Sequence, residues 1–387
     1  MPSELFRPEF SPGNGIFQLH QRDAFRSEGH TANILSCGFI STRDLLKKLS
    51  CTDKDQDIIL WLPAIIPLRV FPKRLIGWFH FALNFSGFLI YLIKHGKPDV
   101  IHAHNLNYAG YSACKIGSHF NIKVALTEHN TRWHVAKINA DYVSRFNKTV
   151  KYLPYLSTVG ISTAKILQKA FDREWQIIPN VCQLDVFTIK PAVPANSELN
   201  EFTNWVNSKH KVLLNVGGLR QVKQQSKLIK EFHKKQLFKL NYKLAIVGTG
   251  PLLADLNELV STLGLHESVI FLGERTQTEV NYLMANSYAL IIASKIETFG
   301  VVAIEALASG CPVVTTRCGG PEQIIKPPEH GYILRARDLS DLAQALDTMQ
   351  EFEFRPKIMR SYVQKHFSPS AFVKKFLEII QLGAKDV

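Results

Sequence analysis

From about residue 97 onward the chain alternates short apolar, β-branched runs with stretches whose apolar positions recur every three or four residues. The first pattern suits strands buried on both faces and the second suits helices packed along one side. Their alternation predicts a parallel sheet wound with helices, in both halves of the chain. In the first half the predicted strands are 32–37 (ANILSC), 99–104 (DVIHAH), 123–129 (KVALTEH), 155–162 (YLSTVGIS) and 175–180 (WQIIPN). In the second they are 211–217 (KVLLNVG), 243–250 (KLAIVGTG), 269–273 (VIFLG), 289–294 (ALIIAS), 312–316 (PVVTT) and 331–335 (GYILR). KPAVPANSELN, 190–200, reads as a linker between two α/β domains, and two domains imply a cleft. A last amphipathic helix is predicted over 367–380, opened by a Ser-Pro cap signal.

One apolar run does not fit that rhythm. IGWFHFALNFSGFLIYLI, 76–93, approaches the length needed to cross a bilayer, but His80, Asn84 and Ser86 interrupt it and a strand follows directly. It is expected to be a buried or membrane-surface helix, with Lys73 and Arg74 just before it.

Composition narrows the class. The 387 residues are 46% hydrophobic and 20% charged, as in a soluble globular protein long enough for two cores. Lys and Arg exceed Asp and Glu by 46 to 33, a net +13 that suggests an anionic partner. About 23 of those cations against 14 acids fall in 1–190, so most of the surplus lies in the first half. Nucleic acid would rest on charge alone, without a motif or aromatic-basic interleaving, and is not expected. The six cysteines are scattered, with no CxxC pair, and read as reduced thiols of a cytoplasmic protein; no structural metal is expected.

Parallel sheets carry ligands beyond the carboxyl ends of their strands, so the residues after each strand are the ones to weigh. After KVLLNVG come Arg220 and Lys223, either two cations for a diphosphate or solvated charges at a helix start. After KLAIV, GTGP lacks the third glycine of a dinucleotide fingerprint and reads as a structural turn. After ALIIAS comes KIETFGVVAIEALASG, with Glu297 in a loop and a helix from about Val301 to Ser309 stopped by Gly310. The backbone N–H groups around Phe299, Gly300 and Val301 would then be open to an anion. Glu305 either faces solvent or sits among apolar residues, where its carboxylate would need donors such as vicinal sugar hydroxyls. In the first half SPGNGIF, 11–17, is a glycine-bearing turn before a helix, and TEHN ends a strand with His129. That histidine is a candidate for polar work or merely a satisfied side chain; the neighbouring His102 and His104 have no third ligand spaced to complete a metal site.

Taken in order, GGLRQVK, VGTGP, ETFGVVAIEALASGCPVV and GGPEQII resemble the retaining glycosyltransferases of family 4, with its E-x7-E signature. PDVIHAH, TEHN and IIPN resemble landmarks of that family's first domain. The resemblance implies an α/β fold of the GT-B class, two Rossmann-like domains facing a cleft. Residues 1–190 would bind the acceptor and 191–365 the donor, with a helix in 366–387 crossing back. It implies metal-independent, retaining transfer from a UDP- or GDP-linked sugar to a lipid-linked or polysaccharide acceptor, lipopolysaccharide among them. The implied location is cytoplasmic, with peripheral attachment to an anionic inner membrane face left open.

By the same resemblance, Glu297 contacts donor-sugar hydroxyls and Glu305 holds the ribose, while the backbone from Phe299 through Gly300 to Val301 meets the diphosphate or sugar. Lys223 matches the phosphate-binding lysine, and Arg220 takes the role of an arginine that usually lies further upstream, where this chain has Gly218. Gly15 resembles the glycine of the acceptor-domain loop that approaches the phosphates, and His129 a histidine near the reacting sugar. The chain departs from the family at its start, where MPSELFRP stands in place of a short apolar strand. Either the start codon is assigned too late, or the first domain lacks that strand; the second case would leave a groove in its core, and the alternative function is then an inactive relative that only binds nucleotide sugar.

Overall fold

The computed structural model describes residues 16–41, 57–64, 73–135 and 140–382. The chain divides into two units, Met1–Val181 with Phe372–Val387, and Cys182–Ala371. The division falls ahead of the stretch 190–200. Residues just after Val181 are tied to the second unit: Arg360 donates to the carbonyls of Leu184 and Phe187, and Asn281 accepts from Thr188 N–H at 3.0 Å.

In the first unit, α1 (Ile16–Ser27) leads into β1 (Leu35–Ser41), which pairs in parallel with β2 (Ile58–Ala64). After α2 (Lys73–His95) come β3 (Val100–His104), β4 (Lys123–Glu128), β5 (Tyr155–Thr158) and β6 (Gln176–Ile177), a four-stranded parallel sheet in that order. Two expectations need correction. The sequence reading named no strand at 58–64, yet β2 forms there; among the described residues it pairs with β1 alone, and an edge strand tolerates Pro63. The strand predicted over 155–162 stops at Thr158, since Gly160 caps a helix over Ile161–Phe171.

The apolar run at 76–93 forms most of α2, which has two faces. Leu83 and Phe88 are buried in the core with Leu35 and Ile101, and on the same side His80 and Asn84 are buried, His80 stacked on Tyr108 at 4.1 Å. Burial lowers the His80 pKa to about 4. The opposite stripe is apolar and exposed, with Trp78 65% and Ile93 88% accessible beside Leu75 and Ile90. By length and composition Leu75–His95 could cross a membrane, but its polar buried face packs on the sheet.

The second unit is a six-stranded parallel sheet. Its strands are β7 (Lys211–Val216), β8 (Tyr242–Val247), β9 (Val269–Gly273), β10 (Ala289–Ile292), β11 (Val313–Thr315) and β12 (Gly331–Ile333). Their spatial order is β12-β11-β10-β7-β8-β9. The chain thus winds one way from β7 and the other way from β10, so the switch point lies between those two strands. Buried Leu213, Leu244, Ile246 and Ile291 pack against Leu228, Ile229 and Phe232 of α3 (Gln225–Lys234), the two-sided burial that apolar strand centres require. Among the helices beyond β10 is α4 (Val301–Ala308). The last helix, α5 (Pro369–Leu382), places Phe372, Val373, Phe376 and Ile380 in one cluster with Ala24, Ala125, Tyr155 and Ile178.

Candidate active site

The loops after β7 and β10 flank the switch point of the second unit. Buried Asn215 near the end of β7 donates from Nδ2 to Ile291 O at 2.8 Å, which ties the two strands together where their loops begin. The β7 loop continues through Gly217 and Gly218 to a single 3-10 turn, Gln221–Lys223. It lies directly on the VGTG loop after β8: a Cβ on Gly248 would fall 2.2 Å from Gly217 O. GTGP is therefore a structural close approach, as its sequence suggests.

Lys223 and Glu297, far apart in sequence, meet here. Lys223 Nζ lies 2.5 Å from Glu297 Oε1, and Ser294 Oγ donates to the same oxygen at 2.7 Å. Glu297 N–H donates to Cys318 O at 2.8 Å, and Glu297 forms a single parallel bridge with Gly319, so the loop that carries the carboxylate is pinned to the loop after β11. With Oε1 used for orientation, Oε2 has no hydrogen bond among the described residues, and the lysine keeps two further N–H donors. Arg220 is exposed and makes no ion pair among the described residues.

Gly300 caps α4 in the left-handed region, φ 87°, and a Cβ there would approach Pro321 Cγ to 2.8 Å. Phe299 is buried, so the turn is held from below while the first N–H groups of α4, from Val301 on, point out of the helix end. One turn into α4, Glu305 is half-buried, and burial pushes its carboxyl up to about 7. No side chain or N–H among the described residues donates to that carboxylate; its neighbours include Cys182, whose thiol burial and Glu305 push up. Glu305 thus lies between the two alternatives, partly open and partly covered.

In the first unit His129 follows the end of β4. Its Nε2 lies 3.0 Å from His104 Nδ1, its ring packs on Phe17 at 4.5 Å, and burial lowers its pKa to about 3. Both histidines are neutral near pH 7, and His129 can exchange hydrogen bonds but carries no charge. Its position is fixed from behind by buried Glu128, which accepts from the N–H groups of Leu106, His129 and Asn130 at 2.8, 3.1 and 2.8 Å. His102 is directed elsewhere, to Thr127 Oγ1 at 2.7 Å. No cluster of three metal-ligating side chains occurs among the described residues. Gly15 lies outside the described residues.

Arg220, Lys223, Glu297, Phe299, Gly300, Val301 and Glu305 thus belong to one end of one sheet, and His129 to a strand end of the other unit. The sequence reading missed Ser294, His104 and Glu128. Ser294 closes a predicted strand and Glu128 precedes a chosen histidine, yet only the packing shows which atoms they hold.

Comparison with known proteins agrees with this geometry. Residues 196–366 match the family described as Glycosyl transferases group 1, and 20–185 match Glycosyltransferase Family 4. The N-acetyl-alpha-D-glucosaminyl L-malate synthase of Bacillus anthracis is 29% identical over 44% of this chain and 45% of its own length. A Campylobacter jejuni enzyme, N-acetylgalactosamine-N,N'-diacetylbacillosaminyl-diphospho-undecaprenol 4-alpha-N-acetylgalactosaminyltransferase, is 32% identical over 41% of each. The matched stretch therefore spans less than half of either relative. Anabaena HepE, solved with UDP and glucose, superposes with a TM-score of 0.71 at 14% identity over 98% of both chains, which establishes the shared GT-B class of fold.

Proposed function

This chain belongs to the family 4, group 1 glycosyltransferases, and we propose that it moves a glycosyl group from a nucleoside-diphosphate sugar to a lipid-linked or polysaccharide acceptor. The observation that carries the reading is the switch-point cluster: a lysine, a helix N-terminus and two carboxylates at one strand end. Lys223, Arg220 and the N–H groups at Val301 supply positive potential for a diphosphate and for the charge that grows on it as it leaves. The free oxygen of Glu297 suits a donor-sugar hydroxyl. Glu305, poised near neutrality without a protein donor, suits the two hydroxyls of a ribose.

In the reaction so read, the bond from the sugar C1 to the β-phosphate oxygen breaks, and the acceptor oxygen bonds to C1 from the same face. The acceptor proton passes to the departing phosphate, so configuration is retained. His129, neutral, would steady a sugar hydroxyl. UDP and glucose in HepE, and the undecaprenol-linked substrate named for the Campylobacter enzyme, favour a nucleotide-sugar donor and a lipid-linked acceptor. The apolar stripe of α2 on a chain of net charge +13 favours contact with an anionic membrane face. Incubation with UDP- and GDP-sugars and a polyprenyl-diphosphate-linked sugar, with the anomeric product followed by NMR, tests the reading. An inverted product, or full transfer by Glu297→Ala, would sink it; a glycosyl adduct on Glu297 would overturn the same-face step. A second reading, a nucleotide-sugar-binding relative without transfer, is favoured by the division of the first unit's described strands into two separate sheets. It predicts UDP binding with no donor turnover.

A further inference from the structure

The positive charge of the second half of the chain is gathered in one stretch. Residues 191–387 carry 23 Lys and Arg against 19 Asp and Glu, and ten of those cations, with Glu231 as the one acid, fall between Lys209 and Lys243. Without that stretch 13 cations against 18 acids remain, so the rest of the second half is acidic. The stretch holds Arg220 and Lys223 and then α3, which starts two residues after Lys223. Leu228, Ile229 and Phe232 bury one side of α3. Lys227, Lys230 and Lys234 occupy the opposite side, all exposed, at the three- and four-residue spacing that lines them up along the axis. Lys230 and Lys234 follow Lys227 by about 5 and 10 Å.

This stripe is fixed to the loops of the candidate site. Gln225 Nε2 donates to Gly218 O at 3.2 Å. The Gln224 amide bridges two elements: its nitrogen donates to Ala293 O and its oxygen accepts from Lys227 Nζ, both at 3.0 Å. Lys227 is thereby tethered to the strand end that carries Ser294 and Glu297. Two acids temper the stripe, Glu231 at 3.8 Å from Lys234 and Asp338 within the field of Lys227. With Lys235 and Lys239, five lysines still stand against those two acids. Lys230 has no acidic partner among the described residues.

We infer that the lysine stripe of α3 is an approach surface for the nucleoside-diphosphate donor. It draws the anion toward the start of α3 and sets the rate at which the switch-point site fills, without holding the bound molecule. The inference rests on the reading of that site as a nucleotide-sugar site. Fixed charges of one sign beside a cleft raise association rates by roughly 10- to 1,000-fold at low salt, because they attract a ligand from beyond contact distance. At about 10 mM ionic strength the screening length is about 30 Å, longer than α3, and at about 1 M it is about 3 Å. The positive end of the helix dipole adds the same sign at the end nearest the site.

Stopped-flow association of UDP and of GDP tests this, with two variants that each lose two charges. Lys227→Gln with Lys230→Gln removes the near stripe. Lys209→Gln with Lys239→Gln takes the same charge from the turns that lead into β7 and β8, at the opposite end of the sheet. At about 10 mM salt the near pair should slow association by about 5- to 10-fold and the far pair by less than about 2-fold, with dissociation unchanged in both. At about 1 M salt the near pair and the unaltered chain should associate alike. The inference fails if the near pair associates at the unaltered rate or if both pairs slow it equally. It fails too if the loss lies in dissociation and persists at high salt, which would make the lysines contacts of the bound nucleotide. An unaltered chain that binds neither UDP nor GDP would overturn the donor reading and this inference together, whereas binding with unaltered rates overturns this inference alone.

Discussion

Among the described residues the two units apply one architecture to different extents. In Cys182–Ala371 six strands form one sheet and the switch point is occupied by a pinned cluster of charged side chains. In the first unit the strands fall into groups of two and four around a cavity, and its one candidate histidine rests on a separate network of Glu128, His104 and Phe17. A functional residue can be held locally by its own strand end, whatever the extent of the sheet that carries it. Chemistry and stability should therefore separate when the two units are perturbed.

The largest separation is expected in turnover. Glu297→Ala should lower kcat by about 10²- to 10³-fold, the usual loss for one transition-state contact. His129→Ala should cost less, roughly 10-fold, and leave the shape of the pH profile between about pH 5 and 8 as it is in the unaltered chain, since the imidazole is already neutral there. Steady-state kinetics of both variants would reverse the comparison if the histidine proved the more costly loss. Stability should separate the units in the second place. Ile291→Ala, in the filled core, should cost about 2–5 kcal/mol in denaturant unfolding, whereas Ile101→Ala, beside the cavity, should cost about 1 kcal/mol because its surroundings are already open. Equal costs would mean that the first core is as well filled as the second.

A smaller effect concerns pH. Burial raises the Glu305 pKa from 4.5 to about 7, so the folded state holds its proton longer than the unfolded chain. Its contribution to stability is thus present below pH 4.5 and is lost as pH rises toward 7. Ribose hydroxyls donate to the ionised form, so UDP affinity should climb between about pH 5.5 and 7 and level off above, and Glu305→Gln should abolish that slope in calorimetry. A slope that survives the substitution would assign it to another group. The smallest change in stability is expected on the exposed stripe of α2. Replacing Trp78 and Ile93 together by serine should shift stability by less than about 0.5 kcal/mol. Partition onto anionic vesicles should fall roughly 10-fold or more; unchanged flotation would remove the membrane from the picture.

Much of this was legible in residue order. The apolar runs of the second half place every strand of its sheet, because strands buried on both faces must be continuously apolar. The Glu297 and Glu305 spacing around a glycine-capped helix marks the site, since a helix start requires such chemistry in sequence. Strand β2 was not read from the sequence; among the described residues it has β1 as its one strand neighbour, an edge position that tolerates Pro63.

Sequence alone thus determined the class of fold, the succession of strand and helix, and the identity of the groups at the strand ends. Periodicity and capping are local and survive in one dimension. Only the tertiary structure decided that Lys223 and Ser294 share one oxygen of Glu297, that among the described residues Glu305 has no donor, and that His104 is the partner of His129. Those are facts of proximity and burial, set by which strands become neighbours, and no spacing along the chain contains them.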